Sequence, residues 1–459
     1  MLALERDKEH YLSEFEQFAQ ARVGKEPGWL QQLRKGAIAT LAEHGFPAAT
    51  WEDWKYTSVT ALADIPFKPV VNRSGAERLP SQLKYAGFGA WEGTQLVFIN
   101  GHFASELSSL AKLPAGSLVG SLDHAIAEAP HLVEPYLSMP LQAEHAFMAI
   151  NSAFFSDGAV IMLPHHTNIS LPVHLLFVTV PGSEPIMSCP RILIVCQSGS
   201  QVQVVESYLA LASGRYLTAG VTQIVLEERA QLEYYTDQRE SPEAFHMNSL
   251  QAKLGSNSRF TATSLALGGK LVRSNALAVL AGEGAICTLD GLYVGRDHQH
   301  IDYHTIVDHD QPQGTSRQLY KGILDDAARG VFSGRVIVRP DARKSNSQQI
   351  SRNLLLSRNA EADTRPQLEI CADDVKCNHG ATIGQLDEDA LFYLQSRGIG
   401  LLQARRLLTY AFAGDIIESI KIAAVRERLA QFLLERLPCG PEQLGDAKIT
   451  TARGDNEII

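Results

Sequence analysis

Along the first ninety residues, apolar positions recur at spacings of three and four. LERDKEHYLSEFEQFAQARV and PGWLQQLRKGAIATLAEHG each carry one apolar stripe, as amphipathic helices do, and Gly45-Phe46-Pro47 marks a stop. From about Leu96 to Ile370 the texture changes. Short runs rich in Val, Ile, Leu and Tyr follow one another, among them LVFIN, AVIMLP, VHLLFVTV, RILIVC, VQVVES, TQIVLE, QLEYYT, AICTLDGLYV and GVFSGRVIVRP. Each is strand-sized and bounded by Gly, Ser, Asn, Asp or Pro. Few helical windows interrupt them after residue 160, which disfavours a doubly wound α/β fold. So many strands without a sharp repeat consensus fit either a sandwich or a β-solenoid with stacked turns, and the pattern does not choose between them.

Beyond Asp373 helical spacing returns. DEDALFYLQSRGIG has acidic residues at its start, apolar Leu391 and Leu394, and a stop at Gly398. LLQARRLLTYAFAG predicts a second helix ending near Gly414. The segment 415–437 predicts the longest helix, capped by Asp415, with a stripe through Ile416, Ile420, Ala424 and Phe432. The Arg-Gly-Asp triplet in the polar tail carries no assigned function. Three regions result: a helical domain over 1–95, a β core over 96–372 and a helical domain over 373–459.

Composition narrows the class. Of 459 residues, 45% are hydrophobic and 20% charged, so a sizeable core can be buried. A net charge of −10 argues against electrostatic nucleic-acid binding. MLALERDKEHYLSEF is charged from its fifth residue, so no secretory leader is expected. Apolar runs such as LPVHLLFVTV (171–180) are about half the length of a bilayer span. The six cysteines (189, 196, 287, 371, 377, 439) form no CxxC, which suits reduced thiols. A cytoplasmic protein without membrane or nucleic-acid partners is expected.

Catalytic signatures are sparse. GxxxxGK[ST], GxGxxG, GxSxG and HExxH are all missing, so the chain is not expected to hydrolyse ATP. Two constellations remain. In DHQHIDYHTIVDHD (297–310) an extended strand would align His298, His300, Asp302 and His304 on one face. That face could hold zinc or iron in a free-standing metal-dependent enzyme, or it could be a polar structural face. In DVKCNHGAT (374–382), Cys377 and His379 would share a face if extended, and Lys376 would favour the thiolate. Gly380 would allow close backbone approach or a positive φ. The same spacing also suits an inert buried cysteine beside a hydrogen-bonded histidine. WEDWKYTSVTAL (51–62) reads as a solvated loop anchored by Trp51 and Trp54.

ADTRPQLEI (362–370) and DVKCNHGATIGQLDEDALFYLQSRGI (374–399) resemble the signature of the SufD family, subunits of the SUF iron–sulfur cluster assembly scaffold. EDWKYTSV (52–59), LVFINGHF (96–103), DYHTIVDHDQPQGTSRQLYKGIL (302–324) and SQQISRNLLLS (347–357) resemble further blocks of it, so the likeness covers nearly the whole chain. The Cys-x-His-Gly-Ala-Thr form separates it from the SufB paralogue. The resemblance implies a right-handed parallel β-helix flanked by N- and C-terminal helical domains. It implies a scaffold subunit rather than an enzyme, pairing with SufB, while the ATPase SufC docks on the C-terminal helices near Ile416, Ile417 and Ile420. His379 and Cys377 would then help hold a transient iron–sulfur cluster shared with SufB. Sulfur-donor proteins would be indirect partners, a homodimer could form in isolation, and a purely structural paralogue of SufB stays open. A flavin has no support in the sequence. Cys371 stands where the family commonly has an aromatic residue.

Overall fold

The computed structural model describes residues 2–71, 88–89, 91–142 and 145–437, so Cys439 and the Arg-Gly-Asp triplet lie outside the described residues. Two compact units are present, Met1–Gln385 and Leu386–Ile459. The first contains a parallel β-solenoid, which decides between the two β architectures. Successive strands alternate between two sheets. One sheet orders Leu118–Ser121, Gly158–Leu163, Arg191–Cys196, Tyr216–Leu226, Phe245–Leu254, Leu271–Leu280, His300–His309, Arg329–Val338 and Glu361–Ile370. The other orders His102–Phe103, Thr94–Ile99, Val173–Thr179, Gln201–Ala210, Gln231–Arg239, Arg259–Ala266, Ile286–Gly295, Thr315–Leu324, Asn346–Leu355 and Lys376–Gly384. The two outermost strands at the start of the solenoid, Leu118–Ser121 and His102–Phe103, pair antiparallel with their neighbours, whereas the stacked turns pair in parallel.

Alternation of side chains explains the strand texture. Inward positions such as Ile194, Val204, Ile224, Leu232, Leu254, Phe260 and Val307 meet between the sheets in one core. One corner of each turn is set by a residue in the left-handed region, including His166, Gly199, Arg229, Asn257, Gly284, Gln313 and Lys344. Each of these donates its N–H to a carbonyl of the next turn, as Asn257 does to Glu283 at 2.8 Å and Lys344 to Asp374 at 2.8 Å. The loop backbone is thereby satisfied rung by rung.

Polar side chains also face inward. Glu206 is fully buried, and Thr222 Oγ1 donates to its Oε2 at 3.4 Å. Burial pushes its carboxyl up to about 7, against the opposing hydrogen bond from Tyr208. Facing inward farther along are His309, Ser316, Ser347 and Gln349, all buried.

The helices Leu2–Gln20 and Gly28–His44 form as their stripes predict, and Gly45 ends the second at φ 65. Tyr11, Leu30 and Leu41 pack with Leu193, Leu217 and Phe245 on the outside of the first sheet. Three helices absent from the sequence reading, Leu122–Glu128, Pro130–Leu137 and Ala146–Phe154, interrupt the stretch from 96 to 372. The last is buried throughout.

The second unit contains Glu388–Ser396, Leu401–Glu418 and Ala423–Arg436. Asp387 caps the first, accepting from Asp389 N at 2.8 Å, and Gly398 follows it at φ 85. The expected break at Gly414 is absent: the middle helix runs through Gly414 and Asp415 to Glu418, and the chain breaks at 419–422. A single glycine costs a helix only about 1 kcal/mol, which a continuous buried stripe outweighs.

Candidate functional site

Among the described residues the solenoid ends on two strands with no further strand beside them, Glu361–Ile370 in one sheet and Lys376–Gly384 in the other. Lys376–Gly384 pairs in parallel with Asn346–Leu355, placing Cys377 on Ser347 and His379 on Gln349. Ser347 and Gln349 face the interior, so Cys377 and His379 share the inward-facing side of the last rung. Their strand belongs to the solenoid, and the helices that the sequence grouped with it begin at Glu388.

Cys377 is half-buried, packed against Val336, Val338, Ala342 and Ala372, while His379 is exposed. Burial raises the Cys377 thiol above its ordinary value, and the Ser347 backbone pulls it partly back. The expected thiolate-favouring effect of Lys376 is absent, because adjacent strand residues face opposite sides. Gly380 takes neither expected role: its φ is not positive, and a Cβ there would meet nothing within 4 Å of this chain. Cys371 is exposed.

The histidine-rich stretch divides differently. His298 lies in the turn before the strand His300–His309, so the four-residue face loses its first member. His300, Asp302 and His304 do share an outer face, and the loop at 51–57 covers it. Thr57 Oγ1 lies 2.9 Å from His300 Nε2 and donates to Asp302 Oδ2 at 2.5 Å. Arg273 Nη1 pairs with Asp302 at 2.5 Å, its guanidinium 3.8 Å from the Trp54 ring centre. Asp53 lies 3.4 Å from His304 Nε2, and that hydrogen bond holds its carboxyl down at about 2. Glu52 pairs with Arg365. Trp54 anchors this loop as expected, but Trp51 remains 41% exposed on the rim of a cleft of about 310 Å³. A metal on this face would have to displace these partners, and among the described residues no three His, Cys, Asp or Glu side chains converge as a metal set.

Sequence reasoning missed that the 52–59 and 302–309 blocks meet. It also missed that His309 faces inward, which counting alternate positions from Ile301 would have found.

Ile416, Ile417 and Ile420 are buried in this chain and cannot present a surface as they stand. The exposed apolar residues of the C-terminal helices are Phe392, Tyr393, Leu401, Leu402 and Leu407.

The parallel solenoid thus carries one thiol and one imidazole on its last rung. One soft and one borderline donor suit iron in a sulfur cluster, and two donors alone leave its coordination incomplete. Two family models match the chain: the SufBD protein N-terminal region over residues 5–175, and the SufBD core domain of SUF system FeS cluster assembly over 178–412. The chain is 36% identical to an iron–sulfur cluster assembly SufBD family protein of Synechocystis, covering 89% of this chain and 91% of that one. It is 29% identical to the iron–sulfur cluster assembly protein SufD of Escherichia coli, covering 88% and 92%. The chain belongs to the SufBD family of iron–sulfur cluster assembly proteins and is SufD-like.

Proposed function

We propose that this chain is a non-catalytic scaffold subunit that pairs with a SufB-like chain through its open solenoid end and offers Cys377 and His379 to a nascent iron–sulfur cluster at that junction. The observation that carries this reading is the coincidence of the two donors with an unpaired strand edge. Such an edge presents rows of free N–H and C=O groups to an incoming strand. The cluster is cargo, and the partner supplies the remaining ligands. His379, exposed, acts as ligand; Cys377 ligates iron or handles sulfide. Without the partner, the same edges allow two copies of this chain to pair. The exposed apolar residues Phe392, Tyr393, Leu401, Leu402 and Leu407 support docking of the ATPase SufC on the C-terminal helices, with Ile416, Ile417 and Ile420 holding those helices in shape.

The test is iron and acid-labile sulfide in the co-expressed complex, read beside its elution profile. His379→Ala should leave assembly intact and lower both contents several-fold. Cys377→Ser should match it if the sulfur ligates iron and fall short of it if the role is supporting. Cys371→Tyr should be nearly silent. Wild-type contents in the His379→Ala complex would overturn the site, and loss of the complex would make the pair structural.

A further inference from the structure

The layer beneath Cys377 and His379 is polar in a way that packing alone does not explain. His309 Nε2 lies 2.8 Å from Ser316 Oγ, and Ser316 donates to Ser347 Oγ at 2.8 Å. His309 and Ser347 are fully buried and Ser316 is 2% exposed. With Ser316 giving its hydrogen to Ser347, its oxygen accepts from His309, so Nε2 carries the ring hydrogen. Each hydroxyl in this chain then points its hydrogen one rung nearer the open end. Ser347 accepts from Ser316 and still has its own hydrogen to give, and its register partner on the same face is Cys377.

The neighbouring column tells the same story. Gln349 is fully buried, and neither its Oε1 nor its Nε2 has a hydrogen-bond partner. Its register partner on the next rung is His379. Across the interior, a Cβ at Gly334 would lie 2.3 Å from Gln349 Nε2, so the amide occupies space that only glycine leaves. Buried amides with no partner at either end are rare and costly, and this one lies beneath an exposed imidazole.

Taking the proposed terminal site as its basis, we propose that Ser347 and Gln349 are its positioning residues: the Ser347 hydroxyl donates to the sulfur at Cys377, and the Gln349 amide fixes the His379 ring. Ser316 and His309 act behind Ser347 by holding its oxygen as an acceptor and freeing its hydrogen. This gives His309 a task distinct from that of its outward-facing neighbours. Hydrogen bonds to sulfur and to the far nitrogen of a ligating imidazole are the means by which a protein shell orients donors and tunes what they hold.

The experiment uses the full chain without iron, so its outcome is separate from that of the cluster-content test. The S–H stretch of Cys377 is isolated as the Raman difference between wild type and Cys377→Ser. Ser347→Ala should displace that band, Ser347→Thr should restore it, and Ser316→Ala should move it the same way by less. For the second column, Gln349→Met should change the tautomer balance of His379 read from its ring 15N shifts, and Gln349→Glu should not return it to that of Gln349→Met. A Cys377 band indifferent to Ser347→Ala, or a His379 tautomer indifferent to Gln349→Met, overturns the corresponding column. If Ser347→Ala does not fold, Ser316→Ala decides the first column, and an unmoved band there overturns it.

Discussion

Burial holds the Glu206 carboxyl at about 7 against an ordinary 4.5. The folded chain therefore keeps a proton that the unfolded chain releases between those values, and stability falls as pH rises through that window. Glu206→Gln should remove this slope. The variant should be more stable than wild type at pH 8 by about 3 kcal/mol and close to it at pH 4, in urea unfolding at the two pH values. Parallel pH dependences would show that Glu206 is not the group concerned. Residue-scale chemistry was partly legible in the sequence. The two-residue spacing of Cys377 and His379 implied a shared face because strand side chains alternate. Their environment was not legible, since it depends on Ser347 and Gln349, which only strand register brings beneath them.

The loop at 51–57 works as a strap across the outer faces of the Leu271–Leu280, His300–His309 and Glu361–Ile370 strands, through Trp54–Arg273, Thr57–Asp302 and Glu52–Arg365. Asp302→Ala would leave the Arg273 guanidinium, buried at 2% exposure, without its carboxylate. A loss of about 3–5 kcal/mol in urea unfolding is expected, largely recovered when Arg273→Leu is added. Equal losses in the single and double variants would mean that the ion pair is not what Asp302 contributes. Strand texture could be read from the sequence, but strand partners could not. Gln201, Gln231 and Arg259 are successive register neighbours although far apart in the chain, and no local period encodes that. Helix ends were legible where a cap or left-handed glycine acts, as at Asp387 and Gly398. They were misread at Gly414, where the buried stripe carries the helix past the glycine.

At the scale of the molecule, a chain ended after Gln385 keeps its whole solenoid unit. It should still pair with a SufB-like chain yet fail to retain SufC in co-purification; SufC co-eluting with it would remove the docking proposal. Gly380→Val tests the edge itself. No atom of this chain lies within 4 Å of the added Cβ, so isolated stability should stay within about 0.5 kcal/mol while pairing weakens on a sizing column. Undiminished pairing would place the junction elsewhere. The two ends of the solenoid also differ, and on the proposed pairing that difference would set the stoichiometry. The starting end carries the short antiparallel strands Leu118–Ser121 and His102–Phe103, a poor template for continued parallel stacking. Among the described residues the finishing end alone offers full-length strands, so the proposed pairing would join end to like end. Head-to-tail addition, which would propagate into a filament, would meet no second full-length parallel edge among the described residues, so the proposed assembly would terminate at two solenoids.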